Sequence, residues 1–250
     1  MNIVAFIPAR YDSTRFQGKP LALIAGRPMI QHVYTCAKSC ADVSEVYVAT
    51  DDKRILDCVH GFGGKALLTG EGHPSGTDRV AEAAQKIGLQ PDDVAINVQG
   101  DQPLFRPVLI SQTISPLLQD GGITMSTLMH PISDDRDVND PNCVKVVTDA
   151  QGYALFFSRS PIPFFRDSKI PGTRFKHLGF YGYRMGFLST FAGLPVGTLE
   201  SAEKLEQLRA LENGFRIKVV ETRFDSVEVD TPADVRRVEE MLGIRGRPEP

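Results

Sequence analysis

The chain has no tryptophan and only four cysteines, Cys36, Cys40, Cys58 and Cys143, among 250 residues. So sparse a set cannot frame a disulfide-built secreted fold, and the opening MNIVAFIPAR shows neither the basic start nor the apolar core of a secretory signal. The expectation is a protein of the reducing cytoplasm. No apolar run approaches the roughly 20 residues that cross a bilayer, so no membrane partner is expected. Positive charge is not in surplus: 28 Lys+Arg stand against 31 Asp+Glu, a net charge of −3. That excludes a nucleic-acid partner gripped by a broad basic face, but not a small anionic ligand held by a few local cations. Repeats and low-complexity linkers are also missing. What remains is ordinary for a folded protein, with 42% hydrophobic and 24% charged residues. A chain of this length buries about 70% of its unfolded surface without staples.

The first 130 residues alternate between strand and helix patterns. Strands are expected at Ile3–Ile7, Val46–Thr50, Ala66–Leu68, Val94–Val98 and Ile123–Leu128, and helices at Pro28–Cys40, Asp52–His60, Thr77–Ile87 and Pro107–Gln119. Such alternation is the signature of an α/β fold with a mostly parallel sheet flanked by helices. The rhythm changes after Cys143. Val144–Val147, Ala154–Phe157 and Leu178–Tyr183 read as strands of a β-rich lobe over about 143–185, with a mobile loop near 166–175. Ser201–Asn213 reads as helix, Ile217–Val220 and Ser226–Val229 as strands, and Thr231 as the cap of a last helix, Pro232–Leu242. One domain over 1–243 is expected, followed by a frayed tail, 244–250.

Two nucleotide motifs are absent. Gly18-Lys19 and Gly64-Lys65 lack the remaining residues of a P-loop, and no Gly-x-Gly-x-x-Gly follows the first strand. In its place stands PARYDSTRFQGKP, residues 8–20. Ligands of open α/β sheets bind beyond the carboxyl ends of strands. This loop brings Arg10, Arg15 and Lys19 there, with Ser13, Thr14 and Gly18, a set suited to a polyphosphate. The plainer alternative is a solvated basic loop. Two strands end in carboxylates, at Gln99-Gly100-Asp101 and at Asp230. Two such groups, completed by phosphate and water, form the sparse ligand set that Mg²⁺ prefers. Each Asp alone would serve equally as a turn or helix cap.

Ser75, Gly76 and Thr77 open a helix where unpaired N–H groups attract anions, or simply start a helix. His177, Gly179, Tyr181 and Tyr183 alternate onto one strand face. In EKLEQLR, Leu205 and Leu208 read as core and Glu206 and Gln207 as surface. His32, Cys36 and Cys40 have helical spacing, but the cysteines continue an apolar stripe from Met29 and Val33 and read as core rather than as a metal site.

The sequence resembles the 3-deoxy-manno-octulosonate cytidylyltransferase (CMP-Kdo synthetase) family. The resemblance rests on PARYDSTRFQGKPL, HPSGTDR, NVQGDQP, PNCVKVV, YALFFSRSPIP, HLGFYGYR, EKLEQLRALENG and VDTPADV, spread over residues 3–240. It implies a nucleotidyltransferase fold, reaction of CTP with the sugar acid Kdo to give CMP-Kdo and pyrophosphate for lipopolysaccharide synthesis, a Mg²⁺ requirement, and a homodimer formed partly through the β-rich lobe. By position, Arg10, Ser13, Arg15 and Lys19 would hold the triphosphate, with the Pro8 and Ala9 backbone near the base. The Ser75–Arg79 turn, with Gly76, would help read cytosine. Gln99 would reach the ribose or the sugar, and Asp101 and Asp230 would bind metal. Lys19, Arg10, Asp101 and Asp230 would carry the catalysis. Arg159, His177, Tyr181, Glu206 and Gln207 would line the sugar-acid pocket. Two departures stand out: Phe16-Gln17 where the family commonly has Leu-Pro, and Glu228 where it commonly has Gly. The alternatives are a related transferase for an 8-amino analogue of Kdo, sialic acid or a sugar phosphate, and a non-catalytic nucleotide-binding regulator.

Overall fold

A computed structural model describes residues 1–12, 16–167 and 172–243. The expected frayed tail therefore lies outside the described residues, as does part of the loop near 166–175. By contact the chain forms two compact units: one holds Asn2–Leu89, Ala95–Val108 and the chain from Ser226, the other Gln90–Val94 and Leu109–Asp225 together with Met1.

The first unit follows the expected alternation. Strand β1 (Ile3–Ala9) carries the run IVAFIPA, and its Ala5, Phe6 and Ile7 are fully buried. A short hairpin, β2 (Leu23–Ile24) and β3 (Arg27–Pro28), leads into α1 (Met29–Lys38). Then come β4 (Glu45–Thr50), α2 (Lys53–Gly61), β5 (Ala66–Leu68), α3 (Gly76–Lys86) and β6 (Val94–Asn97). The β1–β4 and β4–β5 pairings are both parallel, and β6 lies beside β1. Strands buried on both faces need continuous apolar runs, which is why they are legible as such. On α1, Met29, Ile30, Val33 and Ala37 are buried at helical spacing. Cys40 is buried and Cys36 donates to the Phe105 carbonyl at 3.0 Å, so the cysteines serve as core. The C-terminal helix, Pro232–Met241, opens at Thr231, as expected.

The second unit is built differently. Helix α4 (Val108–Gln119) precedes β7 (Met125–Pro131), α5 (Asp135–Asn139), β8 (Lys145–Thr148), β9 (Ala154–Ser158), β10 (Phe175–Arg184), α6 (Met185–Ala192), α7 (Thr198–Glu203), α8 (Leu208–Glu212) and β11 (Lys218–Glu221). Strand β10 pairs antiparallel with β7 and β8, β8 pairs antiparallel with β9, and β11 pairs parallel with β7.

Two expectations need correction. Residues 226–229 form no strand; only Val227 makes a bridge, to Leu104. The helix expected over 201–213 is broken into α7 and α8, because Lys204 adopts the left-handed conformation (φ 53°) at the end of α7. Nothing in the apolar spacing signals that break.

Gly182 is closely packed between α4 and β7. A Cβ there would lie 2.8 Å from Leu117 Cδ1 and 2.9 Å from Ser126 Oγ. Gly182→Ala should therefore lower the unfolding free energy by about 1–3 kcal/mol, the range for overpacking, as read from the urea midpoint at unchanged m-value.

Candidate active site

Strand β1 delivers Pro8, Ala9 and Arg10 to its carboxyl end, where Ala9 is buried and Arg10 exposed. Ser13 and Arg15 lie outside the described residues. The loop folds back at Gly18, whose φ of 69° suits glycine and whose N–H donates to the Tyr11 carbonyl at 2.9 Å. The Tyr11 ring covers this turn and is itself covered by the Arg54 guanidinium, 3.3 Å from the ring centre.

Lys19 follows directly and projects its ammonium between the carboxylates of Asp101 and Asp230. Its Nζ lies 2.8 Å from Asp101 Oδ2 and 3.4 Å from Asp230 Oδ1. Asp101 and Asp230 thus converge on one cationic position, held here by the Lys19 ammonium. Two carboxylates are a donor set of the kind that Mg²⁺ takes together with phosphate and water. Among the described residues no group of three or more His, Cys, Asp and Glu side chains is arranged to hold a metal ion. The chain therefore offers only part of a coordination shell.

Backbone packing brings these groups together. Gly100 passes so close to β1 that a Cβ on it would stand 2.9 Å from the Pro8 carbonyl oxygen. The Val229 N–H donates to the Asp101 carbonyl at 2.9 Å. Val229 is buried with Ile24, Met29 and Val238, and Phe16 and Val227 pack against that cluster. Phe16 thus anchors the loop in hydrocarbon. Asp234 fixes the next residues by accepting from the Asp230 N–H at 3.1 Å and the Thr231 N–H at 2.8 Å.

Glu228 belongs to this neighbourhood although it stands on no strand. It accepts a hydrogen bond from Gln102 Nε2 at 3.0 Å. Desolvation, then the Asp101 charge, raises its carboxyl above the ordinary glutamate value; Asp230 adds to this and Lys19 opposes it. The residue as a whole is exposed, so water screens part of that effect. The hydrogen bond from Gln102 also works against the rise.

The Ser75–Arg79 turn divides its roles. Ser75 caps α3, accepting from the Asp78 N–H at 3.2 Å. A Cβ on Gly76 would lie 3.3 Å from Pro8 Cγ, so this turn sits close against the end of β1. Arg79 is buried and committed elsewhere: Nη2 meets Asp51 Oδ2 and Nη1 meets Thr69 Oγ1, each at 2.6 Å. Glu82 accepts from the Gly70 N–H at 2.9 Å and also binds His73 and Lys86. Asp51 and Glu82 carry no sequence signal; only contact reveals them as braces of this turn. Gln99 is half-buried beside Gly100.

In the second unit the expected shared strand face is real. His177, Tyr181 and Tyr183 form a row with ring centres 5.2 and 6.0 Å apart, extended by Phe157 at one end and Phe191 at the other. Burial pushes the His177 imidazole down to about 3, so it is neutral at physiological pH. Glu206 and Gln207 lie in the turn between α7 and α8 rather than within a helix; Gln207 is buried and its Nε2 has no hydrogen-bond partner. That turn is braced from both sides. Arg209 grips Glu200 through two hydrogen bonds, at 2.8 and 2.7 Å, and Glu212 accepts from the Leu199 and Glu200 N–H groups. Arg159 spends its guanidinium on the Glu203 carbonyl at 2.6 Å and the Pro141 carbonyl at 2.8 Å. In this arrangement it stabilises the end of α7.

Known proteins resemble this chain along almost its whole length. The family model described as cytidylyltransferase matches residues 4–219. A 3-deoxy-manno-octulosonate cytidylyltransferase of Desulfosudis oleivorans is 54% identical over 97% of this chain and 98% of its own length. The chain belongs to the 3-deoxy-manno-octulosonate cytidylyltransferase family. A family relative from Shewanella amazonensis, named for the 8-amino-3,8-dideoxy sugar, is 53% identical over 98% of this chain and 100% of its own. The solved structure of a CMP:2-keto-3-deoxy-manno-octonic acid synthetase complexed with CTP shares 42% identity at a TM-score of 0.91, covering 97% of this chain and 99% of that one.

The Glu228 environment yields a stability test. A carboxyl raised in the folded state contributes stability that is complete below the ordinary value of 4.5 and lost as pH climbs toward neutrality. Glu228→Gln cannot ionise and keeps an acceptor for Gln102. Its melting temperature should gain on that of the parent as pH rises through this window, measured by thermal scans at fixed ionic strength. A pH-independent difference would show that Glu228 faces bulk water.

Proposed function

We propose that the protein transfers the cytidylyl group of CTP to Kdo, forming CMP-Kdo and releasing pyrophosphate. The observation that carries this reading is the meeting of Lys19, Asp101 and Asp230 at the ends of separate segments, in a chain that matches relatives named for Kdo along almost its whole length. In the reaction the anomeric hydroxyl oxygen of Kdo forms a bond to the α-phosphorus as the bond to the departing pyrophosphate breaks. Such a displacement needs positioning and charge neutralisation more than a protein nucleophile.

Asp101 and Asp230 would hold Mg²⁺, which supplies Lewis acidity at the phosphate oxygens and lowers the pKa of a bound hydroxyl. Lys19, already attracted to that point, adds a compact positive charge, and Arg10 at the end of β1 adds a planar one. Ser13 and Arg15 are assigned to the triphosphate by sequence alone. Pro8, Ala9, Ser75, Gly76 and Gln99 are assigned to the nucleoside, with Arg79 supporting the Ser75 turn. His177, Tyr181, Glu206 and Gln207 are assigned to the sugar acid, with Arg159 holding the corner on which the last two stand. We further propose action as a cytoplasmic homodimer that supplies activated Kdo for lipopolysaccharide synthesis.

Pyrophosphate release with CTP, Mg²⁺ and Kdo tests the reading directly. Parallel reactions with the 8-amino analogue and with sialic acid distinguish the relatives' substrates, since the Shewanella relative is as similar to this chain as several Kdo-named ones. Turnover only with another sugar would reject the assignment. Asp101→Asn and Asp230→Asn should each lower kcat about 100-fold or more while leaving the circular dichroism spectrum intact, because an amide is a poor Mg²⁺ ligand. Glu206→Gln should raise the KM for Kdo and leave that for CTP unchanged, the pattern of a lost substrate contact.

A further inference from the structure

Strand β10 carries an irregularity at the sugar-acid residues. Leu178 pairs with Leu128 but Tyr181 pairs with Thr127, so Gly179 and Phe180 are extra on β10. An insertion of two residues preserves side-chain alternation, which keeps His177 and Tyr181 on one face. The fully buried Thr127 hydroxyl sits at this irregularity, 2.8 Å from the Phe180 carbonyl oxygen, 3.2 Å from the Leu178 carbonyl oxygen and 2.9 Å from His177 Nε2.

A hydroxyl has one proton to give. Both carbonyls can only accept, and Phe180 offers the shorter contact. With the Thr127 proton on Phe180, the Thr127 oxygen is left to accept from His177, which calls for a hydrogen on Nε2. In a neutral imidazole this leaves Nδ1 as a bare acceptor. Among the described residues no hydrogen-bond partner reaches Nδ1, and part of His177 stays accessible to solvent although its surroundings desolvate the imidazole. Phe157 and Tyr181 flank the ring at 5.1 and 5.2 Å and restrict its rotation.

We propose that Thr127 is a positioning residue that locks His177 in the Nε2–H tautomer, so that Nδ1 accepts a hydrogen bond from a hydroxyl of the sugar substrate. The substrate half rests on the sugar-acid assignment above; the tautomer half does not. The lock makes His177 a reader of hydroxyl groups rather than a cationic partner for the substrate carboxylate. A positively charged histidine would have donors on both nitrogens and nothing with which to accept.

The test combines spectroscopy and kinetics. In ¹⁵N-histidine-labelled protein without substrate, His177 should show a pyrrole-type Nε2 and a pyridine-type Nδ1. Thr127→Ser, which keeps the hydroxyl, should preserve that signature and near-parental kinetics. Thr127→Val, nearly the same shape without the hydroxyl, should mix the tautomers and raise the KM for Kdo roughly tenfold, the scale of one lost hydrogen bond, with the KM for CTP unchanged. A Nδ1–H tautomer in the parent protein overturns the lock without any variant having to fold. An unchanged signature in Thr127→Val overturns it as well. A changed tautomer with an unmoved KM for Kdo upholds the lock and removes His177 from contact with the sugar.

Discussion

One ammonium group lies between two carboxylates, and three parts of the chain meet there. Lys19 is separated by 82 residues from Asp101 and by 211 from Asp230, yet its Nζ approaches both. Two aspartates facing one another repel unless a cation lies between them. The lysine supplies that cation, and all three side chains are only partly buried, at 15%, 29% and 24% exposure. At such exposure the net stabilisation is small. The arrangement matters more as a definition of place: it marks where a second positive charge would be welcome and where a polyphosphate would find its counter-charges.

Hydrocarbon holds that place still. The residues beside the charges, Phe16 before Lys19 and Val229 before Asp230, both enter the cluster of Ile24, Met29 and Val238. Charged atoms at the rim are therefore tied to apolar neighbours in the core by one or a few covalent links. The departure from the family pattern at Phe16 is understandable on this basis, since an aromatic ring fills the same cluster that a leucine would. Glu228 is the converse case, a third carboxylate added where charge already accumulates, with a hydrogen bond donated by Gln102.

Much of the first unit was legible in the sequence because its parallel strands are continuous apolar runs and its helices show a clean buried face. Asp101 and Asp230 were read as strand-end acids; the strand expected before Asp230 does not form, yet both carboxylates reach Lys19. The failures have a common cause. The break at Lys204, the loss of the 226–229 strand and the two extra residues in β10 all depend on hydrogen bonds to distant partners, which local periodicity does not encode. The partners of the Arg79 guanidinium, Asp51 and Thr69, and those of the Arg159 guanidinium, the carbonyls of Glu203 and Pro141, are likewise set by the fold and not by local periodicity.

The row of rings from Phe157 through His177, Tyr181 and Tyr183 to Phe191 ends on the Arg209 guanidinium, 4.7 Å from the last ring centre. With no tryptophan and six tyrosines in the chain, no indole band overlies the near-ultraviolet circular dichroism. Two of those six tyrosines are held in this row in fixed, asymmetric contact, and fixed packing is what gives aromatic side chains a near-ultraviolet signal. The unlabelled protein consequently carries an optical reporter at the strand that bears His177. Loosening of that strand would dim the aromatic signal while the far-ultraviolet spectrum of the helices stayed unchanged.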